Sequence, residues 1–285
     1  MSGELAFIDA LRAMARDPAA RNLDDDCAVL EMGGEALVLT LDTMAEGTHF
    51  RAGADLADVA WKLVAANLSD LAAKGAEPLG VLLSYQLGTD DARFLAGLHE
   101  VLDTYDVPLL GGDTVRAEAG RSFSLTAIGR ASHVPVPDRR GARAGDELWV
   151  TGTLGRAMLG FEGQDAYAKA FHRPCPLLAE GKALAPHVTA MMDVSDGLLL
   201  DAWRMAAASG VSIGLDSAAV PVADTARRNE CLRWGDDYEL LFTLPVGTTP
   251  PVDATRIGSV LPQGEAALIL DGNSMPGPEH LGYRH

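Results

Sequence analysis

Three consecutive aspartates, Asp24, Asp25 and Asp26, stand in RNLDDDCAVLEMGG (residues 21–34), directly before an apolar run that ends in Gly33-Gly34. Aspartates recur at the ends of other apolar stretches: Asp42 after ALVLTL, Asp113 after VPLLGG, Asp193 after TAMM, and Asp236-Asp237 before YELLF. A carboxylate in such a place sits half out of a core, and several that converge repel one another unless a hard divalent cation lies between them. Oxygen-only donors suit Mg²⁺ or Ca²⁺ and not zinc. The competing reading is that aspartate favours strand ends and turns anyway, which explains each position taken singly.

Two short stretches could add anion binding. In Gly111-Gly112-Asp113-Thr114 the glycines let the backbone approach an anionic group while the aspartate holds a metal on it, although a plain turn is the simpler reading. In VSDG (residues 194–197), Ser195 is placed as the N-cap of a helix over residues 196–209, where free N–H groups favour phosphate; a simple cap serves equally well. By chemistry alone, His49 and the Arg139-Arg140 pair read as structural and solvated residues. The chain has no GxxxxGK[ST], HRD, DFG, GxSxG or HExxH, so nucleotide chemistry here is not built on a P-loop or protein-kinase scaffold.

The elements that must position these groups alternate as in an α/β protein with mixed sheets. Residues 5–16 carry Leu5, Ile8, Leu11 and Met14 at helical spacing, predicting one packed face. Residues 27–32 and 36–41 predict a hairpin on Gly33-Gly34, which sets Asp26 opposite Leu41 and therefore beside Asp42. Residues 55–75 predict a helix with Leu56, Val59, Ala60, Leu63 and Val64 on one broad face and Asn67 and Asp70 sharing a side. Strands are predicted over 79–87, 107–110 and 122–129, with a helix over 91–105. Residues 132–146, rich in proline, glycine and charge, are the candidate linker, giving domains at 1–137 and 138–285. The second half restarts with strands over 147–150 and 190–194, the helix closed by Gly210, and strands over 211–215, 238–244, 256–260 and 267–270.

A chain of 285 residues, 48% apolar, can bury a large core. Its formal charge of −17 disfavours nucleic acid and anionic membranes as partners, while phosphorylated small molecules remain accessible through metal ions. Cys27, Cys175 and Cys231 have no CxxC spacing and read as reduced structural thiols of a cytoplasmic protein. Nothing in the sequence predicts export or a membrane span.

The blocks DDCAVL, LTLDTMAEGTHF, WKLVAANLSDLAAKGAEP, GGDT, RPCP, MMDVSDGLLLD and DDYELLFT, in this order, resemble the thiamine-monophosphate kinase family of the aminoimidazole-ribonucleotide-synthetase-like superfamily. The resemblance runs from about residue 4 to the end, and NLSDLAAKGA and VSDGL carry most of it. It implies a two-domain fold: an N-terminal domain whose sheet joins that of a second subunit in a homodimeric β-barrel, and a C-terminal α/β domain that closes over the nucleotide. It implies ATP-dependent phosphorylation of thiamine monophosphate, the last step to thiamine diphosphate, by direct transfer with no phospho-enzyme. Asp26, Asp42, Asp70, Asp113, Asp193 and Asp196 match magnesium-binding aspartates, of which Asp42, Asp70, Asp113 and Asp196 stand at the chemistry, and Thr40 matches a weaker oxygen ligand. Gly112, Asp113, Arg139 and Ser195 match nucleotide contacts, and His49 a contact of the thiamine phosphate. Asp24 replaces a usual glycine, and Asp236 a usual substrate-contacting glutamate. The place of a ring-stacking C-terminal aromatic falls on His280, with Tyr283 nearby. The alternatives are a related ATP-dependent enzyme with another acceptor, such as an amide oxygen or selenide, and a nucleotide- or cation-binding homologue without turnover.

Overall fold

The computed structural model describes residues 3–117 and 120–283. Helix α1 (Gly3–Arg12) stops four residues short of the predicted end. Leu11 and Met14 are 36% and 74% exposed, so the predicted packed face does not form at that end; the Leu5 side chain lies outside the described part. Strands β1 (Ala28–Met32) and β2 (Glu35–Ala45) pair through Gly33 and Gly34, both at positive φ as a two-residue hairpin turn needs. Ala28 stands opposite Leu39, the predicted register, and Asp26 lies just past the end of the ladder.

Helix α2 (Leu56–Ala73) is capped by Asp55, whose carboxylate accepts the Ala57 N–H at 2.9 Å. Strand β3 (Ala76–Gln86), helix α3 (Asp91–Tyr105), strand β4 (Leu109–Val115) and strand β5 (Ser122–Ala131) complete the first half. The first sheet runs β1-β2-β5-β3-β4, antiparallel except for β3 against β4. One face buries Val38, Val81, Leu125 and Ala127 against α2 and α3. The other leaves Leu41 (62%) and Leu110 (55%) exposed.

Here the structure corrects one expectation. Gly111, Gly112 and Asp113 form no turn; they lie inside β4, the open edge strand. A Cβ on Gly112 would fall 1.9 Å from the Leu83 carbonyl oxygen, so this glycine is required by close strand approach.

The second half builds β6 (Glu147–Thr151), the short helices α4 (Arg156–Phe161), α5 (Ala168–His172) and α6 (Leu178–Leu184), β7 (Ala190–Asp193), α7 (Leu198–Ser209), β8 (Ser212–Leu215), α8 (Arg228–Cys231), β9 (Leu240–Leu244), β10 (Ala254–Leu261), β11 (Leu268–Leu270) and β12 (Asn273–Met275). Its sheet runs β12-β11-β8-β10-β6-β9-β7. Helix α7 covers one face; the other packs Met191, Leu240, Phe242 and Leu244 against Ala72 and Ala73 of α2 and Leu184 of α6. Helix α2 is therefore buried around almost its whole circumference, and not on one face as its pattern suggests. It lies between the two sheets and touches both. No helix among the described residues is long and apolar enough to cross a membrane.

Candidate active site

Helix α2 ties the site together because its polar residues have nowhere else to go. Asn67 is fully buried; its Oδ1 accepts the Asp42 backbone N–H at 3.2 Å and its Nδ2 donates to the Leu63 carbonyl at 2.8 Å. One turn on, the carboxylate of Asp70 accepts a short hydrogen bond from the Thr40 hydroxyl of β2. Ser69 points the other way and donates to Asp193 Oδ2 at 2.6 Å, at the end of β7. The carboxylates of Asp26, Asp70 and Asp193, one from each of three chain regions, meet with ligand oxygens within 4.8 Å of one another.

Such a cluster is costly without a cation. Burial, followed by the charges of Asp42, Asp193 and Asp26, pushes the Asp70 carboxyl well above the usual range. Burial and then Asp26 push Asp193 up to about 7. Burial would also raise Asp26, but Arg139 first, and then Lys74, overcome it and hold this carboxyl at about 2. The all-oxygen donor set, its spacing and its raised proton affinity fit a hard divalent cation such as Mg²⁺.

Arg139 lies against Asp26 and 3.7 Å from Asp25 Oδ1. Asp25 itself is wholly buried, held by Lys74 Nζ at 2.5 Å and Arg21 Nη1 at 2.6 Å. It faces cations and stands beside the cluster as a support for Asp26. Asp24 stands apart from the cluster and pairs with Arg12 at 2.8 Å near the surface.

Ser195 does not cap α7. Gly197 occupies the cap position, and the Ser195 and Asp196 N–H groups donate back to Asp201 Oδ2, each at 3.1 Å. Burial pushes the Asp201 carboxyl up to about 8. This inward fold of the VSDG loop aims Ser195 and Asp196 at a cavity, where Arg204 Nη1 meets Asp196 Oδ2 at 2.5 Å.

The cavity has a volume of about 720 Å³, with Asp26, Asp42, Asp70, Asp193 and Asp196 at its acidic end. His49 is also on its wall, its Nδ1 accepting the Ala45 N–H at 3.1 Å. The opposite end is aromatic. Phe161 lies 4.9 Å from Trp234 and 5.3 Å from Phe171, and the Arg51 guanidinium stacks 4.2 Å from the Phe161 ring. Tyr283 and Asp236 line the same space.

Residues 24–131 match the family model described as AIR synthase related protein, N-terminal domain, and residues 143–271 match its C-terminal domain. The chain is 39% identical to a thiamine-monophosphate kinase of Caulobacter vibrioides, covering 96% of this chain and 88% of the other. It is 36% identical to one from Methanospirillum hungatei, over 92% of each. This chain belongs to the thiamine-monophosphate kinase family. A solved structure of AaThiL complexed with AMPPCP and TMP superposes with a TM-score of 0.87 at 30% identity, covering 96% of this chain and 95% of that one. A thiamine-monophosphate kinase structure from Stenotrophomonas maltophilia K279a gives 0.76 at 31% identity, over 95% and 96% of the two chains.

Within this family member, the acidic wall gathers Asp26, Asp42, Asp70, Asp193 and Asp196, with Thr40 bonded to Asp70. Asp113 and Gly112 are not brought there. Gly112, Leu83, Leu125 and Asp42 form one row across β4, β3, β5 and β2, so three strand spacings, about 14 Å, separate Gly112 from Asp42. His280 does not line the cavity; its carbonyl accepts from Arg233, and Tyr283 is the tail residue that reaches the wall. Cys27 and Cys231 are buried as expected of structural thiols, but Cys175 is exposed, 3.6 Å from the Tyr105 hydroxyl. Sequence reasoning missed Lys62, Phe161, Phe171, Arg204 and Trp234. Lys62 left a signal, a charge eight residues before Asp70 on the same helical stripe; the aromatics left none.

Proposed function

We propose that this chain transfers the γ-phosphoryl group of ATP to thiamine monophosphate, giving thiamine diphosphate and ADP by direct in-line transfer with Mg²⁺. The observation that carries this reading is a single cavity with carboxylates converging at one end and aromatic rings at the other. A phosphate ester with a cationic heteroaromatic tail has the matching polarity. Membership of the thiamine-monophosphate kinases, and a similar chain solved with AMPPCP and TMP, support it.

Bound Mg²⁺ would neutralise the charges of donor and acceptor phosphates and hold them in line. Asp26, Asp42, Asp70, Asp193 and Asp196 supply the oxygens that hold it, and the Thr40 hydroxyl fixes the Asp70 carboxylate. We assign Arg139, paired here with Asp26, to a nucleotide phosphate. His49, on the cavity wall and held through Nδ1 by the Ala45 N–H, is assigned to the phosphate of the acceptor. That phosphate is already an anion, so the chain needs no strong general base. Phe161, Phe171 and Trp234 exclude water from the acceptor's organic end.

We divide the chain into residues 1–137, for metal, ATP and dimerisation, and residues 138–285, closing over nucleotide and substrate. The face carrying the exposed Leu41 and Leu110 is the surface on which a second copy would close the open sheet into a barrel. In that dimer Gly112 and Asp113 would serve the triphosphate bound to the partner's acidic cluster, which explains their place on an exposed edge. We read the protein as cytoplasmic, a reading its free thiols support. Purified protein with ATP, Mg²⁺ and thiamine monophosphate should form thiamine diphosphate and ADP in equal amounts. ADP without thiamine diphosphate, or binding without turnover, would sink the reading, and a sedimentation mass of one chain would remove the shared site.

A further inference from the structure

Lys62 stands on α2 among neighbours that are nearly all apolar, 6% exposed. A buried ammonium is tolerated only with partners. Its Nζ donates to Asp236 Oδ2 at 2.6 Å and lies 4.0 Å from the centre of the Phe171 ring. Among the described residues this is its one hydrogen bond, so two of its three N–H groups remain uncommitted. Asp236 is held in turn by the Tyr238 hydroxyl, which donates to Oδ1 at 3.1 Å. Asp236 and Tyr238 both adopt positive φ, at 57° and 53°, a conformation that costs non-glycine residues and persists where the surroundings impose it.

Placement gives this pair a task. Lys62, Ala66 and Asp70 recur at four-residue intervals and line one wall of the cavity. Eight residues of helix set the Lys62 backbone about 12 Å from that of Asp70 along the axis, and its ammonium lies at the Phe171 end of the cavity. The acceptor's other end therefore meets Lys62, Asp236 and Phe171.

We propose that Lys62 and Asp236 together read the aminopyrimidine edge of the acceptor. That edge presents an exocyclic amino donor beside a ring-nitrogen acceptor. The Asp236 carboxylate accepts from the amino group, the Lys62 ammonium donates to the ring nitrogen, and Phe171 packs against the ring. Lys62 is thus a specificity-determining residue for the organic half of the substrate. This rests on the reading of the chain as a thiamine-monophosphate kinase.

The test compares wild type, Lys62→Met and Lys62→Arg by KM and kcat for thiamine monophosphate, KM for ATP, thermal midpoint, and inhibition by hydroxyethylthiazole phosphate, which lacks the pyrimidine. Loss of a charge-assisted hydrogen bond should raise the KM for thiamine monophosphate roughly ten- to hundredfold in Lys62→Met. The ATP KM and the thiazole phosphate inhibition constant should move less than about threefold, and Lys62→Arg should recover part of the loss. Equal weakening of thiamine monophosphate and thiazole phosphate, or no change in either, would overturn the proposal. A fall in thermal midpoint alone would show that Lys62 only clamps α2 to the Asp236 loop. Failure of the wild type to phosphorylate thiamine monophosphate would instead remove the functional reading beneath it.

Discussion

The two ends of the cavity are built by opposite means. At the acidic end, Asp26, Asp70 and Asp193 come from a strand entrance, a helix and a strand exit, Asp70 and Asp193 held by buried hydrogen bonds and Asp26 by its ion pair with Arg139. At the other end, Phe161, Phe171 and Trp234 come from short helices and a loop of the second half and are held by ring contacts, with Tyr283 of the tail lining the same space. Groups that must hold a small ion need rigid placement within tenths of an ångström, whereas an apolar surface around an organic ring tolerates adjustment. The difference predicts that substitutions at the acidic end destroy turnover while leaving the fold, and that those at the aromatic end change affinity for one substrate.

The largest effect is expected for Asp70→Asn. Turnover should fall about a thousandfold or more, since metal-held charge stabilisation is worth several kcal/mol. Without metal the variant should melt no lower than wild type, because burial, and then the neighbouring carboxylates, already push the Asp70 carboxyl toward neutrality. A scan with and without Mg²⁺ checks both halves: persistence of the wild-type stabilisation by Mg²⁺ in Asp70→Asn would break the comparison.

Asp193 gives an intermediate effect with a defined sign. Its folded carboxyl titrates at about 7, above the ordinary 3.8, so between those values the folded chain binds the extra proton. Metal-free stability then falls as pH rises through that window, and an Asp193→Asn variant should flatten this fall. Mg²⁺ must displace the same proton, so its apparent affinity should rise from pH 6 to pH 8, by up to about tenfold per unit below pH 7. Calorimetry in two buffers of different ionisation heat should record proton release; a pH-independent affinity would contradict it.

The smallest effect belongs to the aromatic end. Trp234→Ala removes a ring tilted against Phe161 and should raise the KM for thiamine monophosphate about tenfold, from roughly 1–2 kcal/mol of lost aromatic packing. Mg²⁺ stabilisation and the ATP KM should hold. Equal loss of ATP affinity in steady-state kinetics would show that the two ends are not separable.

The acidic end was legible in the sequence for a physical reason. Local rules fix strand register and helix periodicity, so the Gly33-Gly34 turn alone sets Ala28 opposite Leu39 and brings Asp26 to the open end of the hairpin, and a spacing of three puts Asn67 and Asp70 on one side. Where long-range contacts compete, local rules failed. Ser195 is a natural cap, yet Asp201 draws its N–H inward and Gly197 takes the cap position. The glycines before Asp113 signal a turn, yet β3 recruits them as an edge strand.

The aspartate triplet of residues 24–26 divides the same way. The sequence by itself determined that an acidic stretch meets the mouth of a hairpin whose partner strand carries Asp42, because turn chemistry and the two-residue strand period are local. Only the tertiary structure decided what each carboxylate does. Asp26 joins Asp70 and Asp193, Asp25 is enclosed by Arg21, Lys74 and Arg139, and Asp24 stays near the surface with Arg12. Those partners lie far along the chain, and a carboxylate's role is set by which charges surround it once burial has removed the screening water.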